Sequence, residues 1–477
     1  MKNVKNTLPI YKRKLVHREY LFYGGYSANI IMVARIKGNV PQKLLRSVIK
    51  EMPYRHPLLQ VRIIKDKNED LWFTSEGCNE VDLEVVPRSS DSDWITSCYA
   101  DYHHPFIHEK GPHAKFTLLY SPNISELIIT INHIIGDGMS LGYLVRDILE
   151  HLEIPEKEFI RLEPPVFDIE NIPIEPKVNF LVKFILKRLN TKWQRQKLEN
   201  NIYFDDEDMS NIHEIFVTNF QPIFSNLLLS EDETRSFINK CNKEGVTVNS
   251  AFLTLLLRVQ QLYLHLKPKF KHRTIIPVNI RNRLRKPVGE AFALYASGYD
   301  MTYRYDEKKS FWENVRAFHK MIVKEMTDYN IFKDIIIMYY YMDPTLMGDL
   351  KYFVTGRLVK EHQSRYDKLH KLVEKKLVIN KIIKSKKADL FSFAQEIVLT
   401  NIGNLNQINL RRQYGQLELD SLMLAPGANA RMRLAIAAVT ASGKLNLSIS
   451  SMSRNYSQDQ LDEIKKLTYE KFCKEIK

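Results

Sequence analysis

The chain alternates short apolar runs with amphipathic stretches, and the period of each stretch predicts its element. Val40 to Met52 sets Leu44, Leu45, Val48 and Ile49 on one helical face, and Pro53, which lacks an N–H and crowds the preceding turn, stops the helix. Trp72-Phe73 and Val81 to Val86 are runs of strand type. Lys115 to Tyr120 and Glu126 to Ile131 read as two strands joined by a turn at Ser121-Pro122-Asn123. Past Gly136-Asp137-Gly138 the period becomes helical, with Leu141, Leu144, Val145, Ile148 and Leu149 on one face. Residues 133–140 therefore occupy a strand-to-helix turn.

Between Ile154 and Pro176, the residues Pro155, Pro164, Pro165, Pro173 and Pro176 predict an extended connector. Next come Phe180, Leu181, Phe184, Ile185 and Leu189 against Lys183, Lys187, Arg188, Lys192 and Arg195, a basic amphipathic helix. Such a stripe either packs on the body of the protein or lies on an anionic membrane, and burial between two halves is the expectation. The second half begins near Ile215. Ser230-x-x-Glu233 is a capping box that opens a helix with Phe237, Ile238 and Cys241 inward, and Thr247 to Tyr263 is a strongly apolar helix. Thr274 to Val278, Ile397 to Thr400 and Leu445 to Ile449 read as strands, and Gln458 to Lys474 as a closing helix. Ile335 to Met342 is apolar throughout and expected to be buried, with a loop over Tyr339 to Phe353. The pattern predicts an α/β (α+β) chain organised as 1–153, a connector 154–214, and 215–477, without the fixed repeat of a solenoid or propeller.

At 477 residues, with hydrophobic residues at 44%, the chain can fill two large cores; Gly 17 and Pro 19 are too few for a low-complexity or fibrous protein. Cys78, Cys98, Cys241 and Cys473 lie far apart, which argues against a thiolate metal cluster or a disulfide framework and fits a reducing compartment. A formal charge of +14 attracts anionic partners without choosing among nucleic acid, membrane, acidic carrier proteins and phosphorylated cosubstrates. Residues 1–22 hold no continuous apolar region, and no stretch is long enough to span a bilayer. A cytoplasmic, monomeric protein is expected, at most peripheral to the inner face of the membrane.

The chemistry concentrates in Asn132-His133-Ile134-Ile135-Gly136-Asp137-Gly138-Met139-Ser140. A histidine at the end of a buried strand is held rigidly, and a carboxylate four residues on can lock the turn while staying off the ring. Alone, the pattern is more simply read as a structural histidine beside an ordinary Asp-Gly turn.

The wider sequence resembles the condensation-domain and alcohol-acetyltransferase superfamily, which has the chloramphenicol acetyltransferase fold and the signature His-x-x-x-Asp-Gly. Arg55-His56-Pro57, Pro105-Phe106 with Gly111-Pro112, Gly245 to Ala251, Pro277-Val278-Asn279-Ile280-Arg281 and Thr400-Asn401-Ile402-Gly403 match its motifs in order. The resemblance implies a pseudo-dimer of two halves around a tunnel. His133 would be the catalytic general base, with no acyl-enzyme intermediate and no bound cofactor or metal. Asp137, Gly138 and Arg281 would support the site, the aspartate pairing with the arginine, and Asn132, Ser140 and Asn401 are candidate tunnel-lining residues.

Where condensation enzymes that form peptides usually carry two consecutive histidines, position 132 is Asn, which favours ester formation; the plant-type Asp-Phe-Gly-Trp-Gly sequence is absent. The leading function is acyl transfer from coenzyme A to an alcohol. Its alternatives are a freestanding condensation enzyme that takes its thioester from an acidic carrier protein, and a non-catalytic member of the fold. No zinc finger, basic heptad helix or aromatic RNA-binding run accompanies the charge, so nucleic acid is not an expected partner.

Overall fold

The strand Asn29–Lys37 is buried on both faces and organises the first sheet. Ile30, Met32, Ala34 and Ile36 enter the main core, whereas Ile31 and Val33 enter a smaller one with Trp94, Cys98, Tyr102 and Phe224. The computed structural model describes residues 9–24, 28–67, 69–102, 104–175, 177–267, 270–358, 367–384, 395–428 and 432–476. The expected Pro176 at the end of the connector, and the first eight residues, lie outside the described set.

Two six-stranded sheets carry the architecture. The first runs Gln413–Tyr414, Leu417–Ala425, Asn29–Lys37, Ile124–Asn132, Ala114–Tyr120, Leu83–Pro87. The second runs Ala296–Tyr303, His272–Asn279, Gln395–Asn404, Met432–Ala441, Lys444–Met452, Pro222–Leu228. Helices Gln42–Arg55 and Gly138–Glu153 pack on each other beside the first sheet, and Val248–Tyr263 and Gln458–Ile476 beside the second. This mixed two-sheet arrangement is the predicted α/β fold. One crossing was not foreseen: Leu417–Ala425 leaves the later part of the chain and pairs antiparallel with Asn29–Lys37, Leu424 opposite Met32. The stretch expected as a uniform second half, 215–477, thus completes both sheets.

Most predicted elements are present within a few residues, and the departures have local causes. Helix Gln42–Arg55 continues through Pro53, because a proline in the last turn forfeits a single N–H while His56 N still closes on Met52 O. The expected loop at 339–353 is two helices, Asp328–Tyr341 and Pro344–Leu358. Within Ile335 to Met342, Ile335 and Ile336 are buried but Tyr340 is exposed. The largest departure is the basic helix, Phe180–Glu199: Phe180, Leu181, Phe184 and Ile185 are exposed instead of buried between the halves.

The Arg55-His56-Pro57 segment serves architecture. Arg55 Nε donates to Asp147 Oδ2 at 2.6 Å and His56 Nε2 to the same oxygen at 2.8 Å, while Arg146 Nη2 donates to Asp147 Oδ1 at 2.7 Å and to Glu290 Oε2 at 2.6 Å. Burial opposes the charge on Asp147, and the N–H donors of His56 and Arg55 together with the Arg146 charge more than restore it, holding its carboxyl well below the ordinary range. The cluster fastens two first-half helices to the loop bearing Glu290. Asp147→Ala removes the buried carboxylate shared by Arg55, His56 and Arg146 and should destabilise the fold by about 3–5 kcal/mol in urea denaturation. Glu290→Ala, at the partly exposed end, should cost about 1 kcal/mol or less.

Candidate active site

Backbone hydrogen bonds fix the His133 turn. His133 N donates to Ala28 O at 2.7 Å and Asn132 N to His113 O at 3.0 Å, pinning the end of Ile124–Asn132, and the Asn132 side-chain oxygen accepts from Ile134 N at 3.1 Å. At Gly136 the backbone passes so close to Phe292 that a Cβ would fall 2.8 Å from its ring. The Gly136 carbonyl turns back to lie 2.7 Å from His133 Nδ1. A carbonyl only accepts, so Nδ1 bears the proton and Nε2 of the neutral ring carries the lone pair. Desolvation lowers the His133 pKa below 6.5, the Gly136 carbonyl and Asp137 partly offset this, and Arg18 adds to the lowering. Phe22 leans on the imidazole with ring centroids 4.6 Å apart.

Asp137 does not touch the histidine. It caps helix Gly138–Glu153, its Oδ1 accepting from Ser140 N at 2.9 Å and from Ser140 Oγ at 3.1 Å, and further contacts reach the second half. Arg281 Nη1 and Nη2 donate to the two carboxylate oxygens at 2.9 and 3.0 Å, and Tyr295 N donates to Oδ2 at 2.9 Å. Both side chains are buried. Burial opposes ionisation of Asp137, yet Arg281 and these N–H groups hold its pKa below 3.8. Arg281 Nη2 also donates to Ser140 Oγ at 2.8 Å, and that hydroxyl lies 2.9 Å from Ala293 O.

His133 opens onto a cavity of about 340 Å³ between the two sheets. Ile30, Leu424 and Met139 form part of its wall from the first sheet and its following helix, and Ile275, Ser297, Val398 and Thr400 part from the second. Next to Asn132 lies a smaller pocket of about 40 Å³, bounded by His104, Phe106 and His213.

Comparison with known proteins bears on the fold. Residues 6–158 match the family described as Condensation domain. Over 123 residues the chain is 26% identical to a plipastatin synthase polypeptide of Bacillus subtilis, a match that covers 26% of this chain and spans 5% of that protein's length. Similar solved structures include the trichothecene 15-O-acetyltransferase TRI3 of Fusarium sporotrichioides, with TM-score 0.63 and 12% identity over 97% of this chain and 94% of that one. The first condensation domain of the calcium-dependent antibiotic synthetase gives TM-score 0.60 and 9% identity over 98% of this chain and 97% of that one. Polyketide synthase associated protein 5 of Mycobacterium tuberculosis gives 0.58 and 11% over 96% and 97%. Residues 6–158 are thus similar to the Condensation domain family, and the whole chain shares the fold of these solved structures.

On this fold the expected residues fall into separate places. His133, Asp137, Gly138 and Asn401 line the main cavity, and a Cβ on Gly138 would press on Ile402 and Leu424 at 3.0 and 3.1 Å. Ser140, expected in the tunnel wall, is instead fully buried behind it in the Asp137–Arg281 network. Asn132 borders the small pocket, its oxygen committed to Ile134 N. Arg18, Phe22, Asn279 and Ser297 also line the cavity and were not foreseen as site residues. Asn279 lies within the Pro277 to Arg281 motif and was within reach of it; no local pattern marks Arg18 or Phe22, which the tertiary fold brings to His133.

The Asp137–Arg281 pair generates a direct test. Asp137→Ala and Arg281→Ala should each destabilise the protein by about 3–5 kcal/mol, and the double variant by much less than their sum. Thermal or urea unfolding of the three variants measures the coupling; additive losses would contradict it.

Proposed function

We propose that the chain is an O-acyltransferase that moves an acyl group from a coenzyme A thioester to an alcohol, with His133 as general base. The observation that carries this reading is the tautomer set by Gly136 O, which leaves Nε2 of an imidazole on the cavity wall as the proton acceptor. The acceptor hydroxyl attacks the thioester carbonyl carbon as its proton passes to Nε2. The tetrahedral intermediate collapses with cleavage of the C–S bond, and the leaving thiolate takes the proton from the imidazolium. Ester and free thiol result, and the histidine returns to its starting state.

Direct transfer is supported by Ser297, a hydroxyl in the cavity wall whose proton is donated to Ile331 O at 2.7 Å. Asn401 is a candidate to polarise the carbonyl: its oxygen accepts from Gly403 N at 2.8 Å, which turns the amide nitrogen to other partners. Asp137 and Arg281 act through position, fixing the turn that aims the ring. The predominantly apolar wall suits an acyl chain and strengthens each polar contact by excluding water.

A second reading takes the acyl group from a thioester on an acidic carrier protein and forms an ester or an amide. It is favoured by the Condensation domain match and by the synthase relative. Thiol release, followed with acyl-coenzyme A and with an acyl carrier protein thioester in the presence of a panel of alcohols and amines, separates the two. Alcohol-dependent thiol release from the coenzyme supports the leading reading; release only from the carrier overturns it.

His133→Ala should reduce turnover by about 10²–10⁴-fold while its unfolding midpoint stays near that of the parent. Because the base must be unprotonated and its pKa lies below 6.5, kcat/KM should be flat around pH 7 and fall only as the pH drops through that lowered value. An acid limb centred above pH 6.5 would contradict the assignment.

A further inference from the structure

Helix Phe180–Glu199 is anchored through one end and bare at the other. Trp193 is fully buried, with Nε1 donating to Thr345 Oγ1 at 3.0 Å; Gln196 accepts from Val378 N at 2.7 Å, and Asn190 donates to Tyr341 O at 2.6 Å. Toward the N-terminus the packing gives out. Phe180 is 77% exposed, Leu181 65%, Ile185 60%, Phe184 47% and Val182 40%. At helical spacing, Phe180, Leu181, Phe184 and Ile185 share a face about 140° wide, and Arg188, Lys192 and Arg195 continue that face further along. With Lys183, Lys187 and Lys197 the helix carries six cations, and its sole acid is Glu199 at the far end.

We propose that the first turns of this helix are an interfacial anchor for an anionic phospholipid membrane. The proposal is independent of the chemistry at His133. Large apolar side chains left in water at the free end of an otherwise anchored helix form a convex tip. A folded protein partner would have to offer a matching slot, whereas the headgroup region of a bilayer deforms around it. The cations supply the complementary charge: Arg188 stacks over Phe184 at 4.6 Å, so a guanidinium that meets a phosphate lies beside a ring that enters the acyl boundary. No helix among the described residues is long and apolar enough to cross a membrane, so the contact is shallow.

The test uses the full chain, sedimented with vesicles of phosphatidylcholine alone and of phosphatidylcholine with phosphatidylglycerol. Binding to the anionic vesicles at low salt, little binding to the neutral ones and release at high salt are expected. Reversing Lys183, Lys187 and Arg188 to Glu should lower partitioning by about 10²-fold or more. The variant Phe180→Ser/Leu181→Ser/Phe184→Ser/Ile185→Ser should abolish binding while its unfolding midpoint is kept. A conservative Phe180→Trp variant should add blue-shifted emission on anionic vesicles relative to the parent, which keeps the proposal testable if the serine variant fails to fold. No sedimentation at low salt, equal binding to neutral vesicles, or undiminished binding by the folded serine variant would each overturn the proposal. So would a serine variant that binds vesicles normally but loses turnover only with a carrier protein thioester, since the face would then belong to a protein partner.

Discussion

Everything at the candidate site hangs from the buried ion pair between Asp137 and Arg281. The carboxylate sits at the N-terminus of Gly138–Glu153, where the unpaired N–H groups of the first turn favour negative charge, and it receives a bidentate guanidinium from the second half. Two desolvated charges are tolerable because nearly every hydrogen-bonding direction of the carboxylate is filled by Arg281, Ser140 and Tyr295. Removing water from the pair also sharpens its geometric demands, since small displacements carry large electrostatic penalties at low dielectric. The turn between strand and helix is therefore held against both sheets at once, and the imidazole inherits that rigidity through Gly136.

The two halves also meet over an apolar contact that contributes no chemistry. Trp94, Cys98 and Tyr102 of helix Asp93–Tyr102 pack with Phe224 and with Met423 and Ala425, and the Tyr102 hydroxyl reaches Pro426 O at 3.0 Å. Pro426 and Gly427 belong to the cavity wall, so the contact that joins the halves also sets the shape of the space between them. Non-directional burial brings the sheets together, and directional bonds to Asp137 and Asp147 choose their register.

Periodicity revealed the helices that present one apolar face, such as Gly138–Glu153, and the capping box at Ser230 and Glu233 is formed by both partners. It passed over Asn29–Lys37, Leu417–Ala425 and Met432–Ala441, because strands buried on both faces lose the polar alternation that marks a half-exposed strand. At the site, the spacing of His133 and Asp137 marked the turn, while a role for that pair, and Arg281 itself, came only through the motifs around them. Ser140 was misplaced by one layer, since sequence places a residue on a turn but not on the cavity side of it. The basic helix was misread for a related reason: an apolar stripe shows which face avoids water, while the structure decides whether anything covers it.

The return of Leu417–Ala425 to the first sheet has a consequence for how the chain acquires its shape. One edge of Asn29–Lys37 stays unpaired until the ribosome has delivered the distant Leu417–Ala425, on the order of tens of seconds later at ordinary synthesis rates. A nascent first half therefore exposes an apolar strand edge, the geometry that invites intermolecular pairing. The high sequence separation of this contact places the molecule among slow, topologically demanding folders. Its assembly is closer to closing a clasp than to collapsing two beads in turn, and neither half can be released from the other without opening a sheet.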